Sequence, residues 1–128
     1  MESRVSKAVE LKSCYNCAQA VACSYCDLVG VSEEFMAAAN SAFGSGMGSM
    51  DGTCGAVVGA GVVLGLKVQD KAQARMAMKR VIEAFKVRNG ATSCRQLKGV
   101  DTGVVLRSCN DCVADAAEFL ERELDRLI

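Results

Sequence analysis

Hydrophobic and polar positions follow a helical period along most of the chain, and this pattern predicts an all-α fold. Most of the predicted helices begin after a residue that favours the N-cap, and three of them end before a glycine. The predicted helices cover residues 3–12, 16–29, 33–43, 54–66, 70–89, 93–97 and 108–127. Neither an internal repeat nor a change of composition divides the chain, so we expect a single compact helical domain over residues 1–128.

Residues 54–66 are the most apolar of these segments, with small or hydrophobic residues on every side. Thirteen residues are too few to span a bilayer, so the segment is predicted to be a buried central helix. Its four glycines each lower helix stability by about 1 kcal/mol relative to alanine. We therefore expect neighbouring backbones to approach this helix closely, and a loosely packed core helix is the alternative.

The glycine-rich segment 44–52 precedes that central helix. A glycine-rich loop that runs into a helix can bind phosphate, but this segment lacks the lysine and the spacing of nucleotide-binding loops. The segment is therefore predicted to be a loop that wraps closely over Cys54.

Composition and charge exclude several classes of function. The 15 basic and 15 acidic residues give a net charge of zero, which argues against nucleic-acid binding and against a polybasic membrane surface. The first residues lack the apolar core of a signal peptide, and no segment is long enough for membrane insertion, so we expect a cytoplasmic protein. Eight cysteines without any histidine, in a compartment that keeps thiols reduced, indicate metal binding or thiol chemistry rather than structural disulfides.

Each of four cysteines follows a residue that favours the N-cap of a helix. The pairs are Asn16-Cys17, Thr53-Cys54, Ser93-Cys94 and Ser108-Cys109. Each of these cysteines is predicted to be the first residue of a helix, where free N–H groups and the helix dipole favour a thiolate. If the four helix starts converge, their sulfurs form a cluster suited to metal binding or redox chemistry. We call these four residues the capped quartet.

The other four cysteines complete three C-x-x-C spacings, which are Cys14–Cys17, Cys23–Cys26 and Cys109–Cys112. Because residues three apart lie on one face of a helix, Cys14 and Cys112 are predicted to lie beside the capped quartet. The result would be one functional site of up to six cysteines. Cys23 and Cys26 are predicted to face elsewhere, as core residues or as a separate minor site.

Several ordered motifs resemble one known family. They are Asn-Cys-Ala-Gln-Ala-Val (16–21), Phe-Gly-Ser-Gly-Met-Gly (43–48), Gly-Thr-Cys-Gly-Ala-Val-Val-Gly (52–59), Cys-Arg-Gln-Leu (94–97) and Cys-x-x-x-Val-x-Asp-Ala-Ala-Glu (109–118). From about residue 8 onward the chain resembles the C_GCAxxG_C_C family of redox-active proteins. The resemblance implies four characteristic cysteines, which fall on Cys17, Cys54, Cys94 and Cys109. Cys54 stands one residue earlier than the cysteine in the family's name.

Three functions fit these residues. The favoured hypothesis is an iron–sulfur or related metal cluster that carries electrons, with the capped quartet as its ligands and Cys14 and Cys112 as possible additional ones. The second is thiol–disulfide chemistry, in which Cys14–Cys17 or Cys109–Cys112 would be the exchanging pair. The third is a structural zinc site built from four thiolates. The sequence does not identify the redox partner or the oligomeric state, and a homo-oligomer is one of the states that it allows.

Overall fold

Helices joined by short loops make up the computed structural model, which describes residues 1–127. They are α1 (Val5–Leu11), α2 (Cys17–Cys23), a 3-10 helix (Cys26–Val29), α3 (Glu33–Ala39), α4 (Gly44–Met47), α5 (Gly55–Val68), α6 (Lys71–Asn89), α7 (Cys94–Lys98) and α8 (Cys109–Arg126). The isolated bridge between Thr53 and Ser93 is the one β-type pairing within residues 1–127. The predicted all-α fold class is confirmed. No helix in this described part of the chain is long and apolar enough to cross a membrane.

The helix predicted over residues 16–29 is interrupted, which the hydrophobic pattern did not indicate. The hydroxyl of Ser24 donates a hydrogen bond to the carbonyl of Ala20 at 2.8 Å, and the chain then turns into the 3-10 helix. This turn places Tyr25 in the core, where its hydroxyl donates to the carboxylate of Glu121 on α8. A tertiary hydrogen bond therefore decides where α2 ends.

Helix α5 lies at the centre of the fold and packs against α2, α6 and α8. Its first half is buried, and two of its glycines lie directly against neighbouring backbone. A Cβ atom on Gly59 would lie 2.4 Å from the carbonyl oxygen of Ala18, and one on Gly55 would lie 2.7 Å from that of Phe43. The expected close approach of backbones is therefore present at these two positions. Gly65, near the far end of α5, has no such neighbour within 4 Å.

A buried carboxylate, Asp115, ties together α6, α8 and the loop that precedes α8. It accepts hydrogen bonds from Arg107 at 2.9 Å, from Arg88 at 3.0 Å and from Asn89 at 3.1 Å. The same loop is also held to α7, because the carbonyl of Leu97 accepts a backbone hydrogen bond from Leu106 at 2.9 Å. These contacts fix the start of α8 beside α7.

Gly59 packs against neighbouring backbone and Gly65 does not, so substitutions at these two positions of α5 form a matched pair. Gly59→Ala should destabilise the protein by about 1–3 kcal/mol, because the added methyl group overpacks the contact with Ala18. Gly65→Ala should instead stabilise it by about 0.5–1 kcal/mol, because alanine is the better helix former at an exposed position. Urea unfolding of both variants measures the difference. Equal changes in the free energy of unfolding would contradict the close packing of α5 on α2.

Candidate functional site

The four cysteines of the capped quartet line one cavity, as their common position at helix starts predicted. The cavity has a volume of about 230 Å³ and is bordered by Cys17, Cys54, Cys94 and Cys109 together with Lys12, Asn16, Ser45, Met50, Gly55 and Lys98. We call it the thiol cavity. Each of the four cysteines comes from a different helix start, so the site is assembled entirely by tertiary packing.

The bridge between Thr53 and Ser93 sets two of these helix starts side by side. The backbone N–H of Cys54 donates to the carbonyl of Thr92 at 2.8 Å, and the N–H of Cys94 donates to the carbonyl of Gly52 at 3.0 Å. This reciprocal pairing brings Cys54 and Cys94 to the same wall of the cavity.

Asn16 fixes the start of α2 beside the cavity. Its side chain accepts a hydrogen bond from the backbone N–H of Gln19, whose own side chain accepts one from the N–H of Asn16, so the capping box is complete. The Asn16 amide also donates to the carbonyls of Asn40 and Ser41 at 3.3 and 3.2 Å. The residue that caps α2 therefore anchors it to the end of α3 and holds Cys17 at the cavity.

The glycine-rich segment 44–52 covers the cavity, as the sequence predicted. Ser45, Gly46 and Met47 all have left-handed backbone conformations, with φ of 51°, 57° and 63°, so α4 is a tight turn and not a regular right-handed helix. Gly46 is required there, because a Cβ atom would lie 2.6 Å from the Cβ of Cys94. Ser45 and Met50, from the same segment, line the cavity itself.

Cys54 is the N-cap residue of α5, not its first helical residue as the sequence predicted. Helix α5 begins at Gly55, and Thr53 takes part in the bridge instead of capping the helix. No regular capping hydrogen bond is formed, but the backbone N–H groups of Ala56 and Val57 interact with the Cys54 sulfur and favour its thiolate. The sulfur thus occupies the place that a capping oxygen usually has.

Cys112 is the immediate partner of Cys54. It is completely buried on α8, where its thiol lies 4.0 Å from the carbonyl oxygen of Arg107, and it also interacts with the Cys54 sulfur. The hydrogen bond from Cys112 lowers the pKa of Cys54 below its ordinary value of about 9, in spite of burial, and the N–H groups of Ala56 and Val57 and the charge of Lys98 act in the same direction. The same hydrogen bond, together with burial, raises the pKa of Cys112. Of the two thiols, Cys54 is therefore the one that loses its proton first as the pH rises.

The prediction that every helix start lowers its cysteine's pKa is wrong for two members of the quartet. Burial raises the pKa of Cys17, and the neighbouring Cys109 and Cys54 raise it further. Burial also raises the pKa of Cys94. At Cys94 the first N–H groups of α7 are already occupied by the carbonyls of Gly52 and Met50, so little of the helix terminus remains to stabilise an anion.

The remaining cysteines lie outside the thiol cavity. Cys14 is exposed in the turn before Asn16, so it does not share a helical turn with Cys17 and does not line the cavity. Cys23 is buried and its thiol lies 3.9 Å from the carbonyl oxygen of Glu33, while Cys26 is half-buried in the 3-10 helix. The structure therefore assembles five cysteines, the capped quartet and Cys112. Within residues 1–127 no group of three or more His, Cys, Asp or Glu side chains is arranged to hold a metal ion.

Sequence reasoning missed two features of this site. The contact between Cys54 and Cys112 joins residues far apart in the chain, and no local pattern indicates it. Lys98 was missed although a signal was available: it lies four residues after Cys94 on α7, which places both on one helix face.

A helical protein with four thiols around one cavity is typical of thiol-based redox chemistry or of metal binding through sulfur. The chain belongs to the C_GCAxxG_C_C family, because the family model described as "Putative redox-active protein (C_GCAxxG_C_C)" matches residues 15–123. No curated protein and no solved structure shows a significant match to the chain.

The pKa of Cys54 gives a test of this site that needs no metal. Because the thiolate is the reactive form, a lowered pKa means that Cys54 alkylation begins at lower pH and is lost as the pH falls through that pKa. Cys112→Ala removes the hydrogen-bond donor and should shift the midpoint of Cys54 alkylation to higher pH. Peptide-resolved mass spectrometry after iodoacetamide treatment measures this midpoint, and Cys26→Ala is the matched control. A Cys54 midpoint equal to that of the unfolded chain would contradict the stabilised thiolate.

Proposed function

We propose that this protein is a redox protein that binds an iron–sulfur cluster through Cys17, Cys54, Cys94 and Cys109. The observation that carries this proposal is the convergence of four cysteines, from four separate helix starts, on one cavity. Four cysteine thiolates are the usual ligand set of such clusters. The family description as redox-active supports the same class of chemistry.

Among residues 1–127 no three His, Cys, Asp or Glu side chains are arranged to hold a single metal ion, so the proposal is for a larger group. The residues around the cavity suit one that is anionic and ligated by sulfur. The cavity volume of about 230 Å³ is several times larger than the roughly 30 Å³ that one water molecule occupies in the liquid. The cavity therefore has room for more than one atom. Lys12 and Lys98 both border it, and no carboxylate is among the residues that line it. Two positive charges facing four thiols offset the negative charge that thiolate ligands bring.

The protein would supply the cysteine ligands of the cluster, positive charge beside it and the residues that shield it from solvent. When bound, the cluster would supply one-electron transfer. Cys54 offers a thiolate before binding, whereas the raised pKa values of Cys17 and Cys94 mean that these two release protons when they become ligands. Ser45 and Met50 cover the cavity and limit the access of water. An electron carrier of this kind also requires a redox partner, which would approach from the open side of the cavity.

A second function, thiol–disulfide exchange, is favoured by the contact between Cys54 and Cys112. The Cys54 thiolate would attack a substrate disulfide, form a mixed disulfide and release one substrate thiolate. Cys112, after losing its proton, would then attack the Cys54 sulfur, close a Cys54–Cys112 disulfide and release the second substrate thiol. The substrate disulfide is thereby reduced and the cysteine pair is oxidised. We propose this pair in place of the Cys14–Cys17 and Cys109–Cys112 pairs that the sequence suggested.

Serine substitutions at Cys54 and Cys26 test the cluster. After anaerobic reconstitution with iron and sulfide, the wild-type protein should be brown and should bind both in stoichiometric amounts. Cys54→Ser should abolish cluster binding, because it removes a ligand. Cys26→Ser should retain the cluster and lose only stability, because Cys26 lies outside the cavity. Iron and sulfide analysis of the three proteins measures the difference, and loss of the metal in both variants would contradict this division of the cysteines.

Cys112→Ala separates the two functions. Cluster binding should survive this change, because Cys112 is not among the proposed ligands, whereas disulfide exchange should be lost with the second sulfur. A wild-type protein that stays colourless and metal-free but reduces disulfides in a Cys112-dependent manner would favour exchange over the cluster.

A further inference from the structure

Among residues 1–127, no carboxylate forms an ion pair with the buried ammonium group of Lys98. Its Nζ atom is inaccessible to solvent and has no hydrogen-bond partner in the described part of the chain, residues 1–127. The buried carboxylates Asp115 and Glu123, by contrast, both form ion pairs with arginine. A buried charge without a partner is strongly unfavourable, so the position of Lys98 requires an explanation.

The groups that face Lys98 are thiols. Lys98 lines the thiol cavity together with the capped quartet. Lys98 contacts Cys109, and its charge also acts on Cys17, Cys54, Cys94 and Cys112.

Lys98 lies at the end of helix α7, on the wall of the thiol cavity. It is the last residue of α7, one turn after Cys94, and Gly99 ends the helix directly behind it in a left-handed conformation. A Cβ atom on Gly99 would lie 2.3 Å from the carbonyl oxygen of Val104, so the backbone at this point is tightly enclosed. The backbone of Lys98 is therefore fixed at the cavity, one helical turn after Cys94.

We propose that Lys98 is a positioning residue that makes the thiol cavity selective for an anionic, thiolate-ligated occupant, with its ammonium group as the buried counter-charge. For the iron–sulfur cluster this inference rests on the proposed function. Because reduction adds a negative charge to the cluster, a fixed cation beside it stabilises the reduced form and raises the reduction potential. In the absence of a cluster the same cation stabilises the free thiolates.

Alkylation of the metal-free, reduced protein tests the charge directly. Iodoacetate carries a negative charge and iodoacetamide is neutral, so the ratio of their rates at Cys54 reports the local potential. Lys98→Met should lower this ratio about tenfold, as expected when one unit charge is removed from a partly buried site. Lys98→Arg should retain the wild-type ratio. Lys86→Met removes a charge from the exposed face of α6 and should leave the ratio unchanged.

The reduction potential of the reconstituted protein gives the second measurement. Lys98→Met should lower the potential, Lys98→Arg should restore it, and Lys86→Met should not change it. A merely structural role for Lys98 predicts altered stability without this dependence on charge. If Lys98→Met does not fold, Lys98→Gln provides the neutral variant.

The outcomes separate this inference from the proposed function. A wild-type protein that binds the cluster, with potential and alkylation ratio unchanged in Lys98→Met, would overturn the role of Lys98 and leave the cluster in place. A protein that binds no cluster but shows the Lys98-dependent ratio would overturn the proposed function. In that case Lys98 would remain the counter-charge of the thiolates.

Discussion

The close contact between α5 and α2 is the constraint on which the rest of the structure depends. The absence of side chains at Gly55 and Gly59 lets the backbone of α2 lie directly against α5 near Ala18. Because Cys17 and Cys54 stand at the starts of these two helices, the same contact that forms the centre of the core also brings two thiols to one cavity. Core packing and site assembly therefore have one physical cause.

Two backbone devices complete the site around this contact. The bridge between Thr53 and Ser93 aligns the starts of α5 and α7, and the left-handed turn at Ser45–Gly46 closes over Cys94. The network around Asp115 holds the loop before α8. These three features act through backbone position or a buried ion pair, and they leave the sulfur atoms of the cysteines free for chemistry.

The electrostatics of the cavity are uneven, although the four helix starts look alike in sequence. Cys54 has a lowered pKa because it is itself the N-cap and because Cys112 donates a hydrogen bond to it. Cys17 and Cys94 have raised pKa values because they are buried. One ready thiolate, two thiols that must lose protons and a buried lysine cation form a site that favours an anionic occupant, and its affinity for a thiolate-bound group should increase with pH.

The sequence by itself determined the helices, most of their caps and the set of four cysteines that meet. These depend on local rules: helical periodicity, the N-cap preference of Asn16, Ser93 and Ser108, and the need for glycine where backbones touch. The tertiary structure alone decided the break after α2, the role of Cys54 as the cap of α5, the position of Cys14 outside the cavity, and which thiol of the quartet Cys112 contacts. Burial and contacts between residues distant in the chain set these features, because a local pattern can indicate which side chains share a helix face but not which side chain of another helix they will meet.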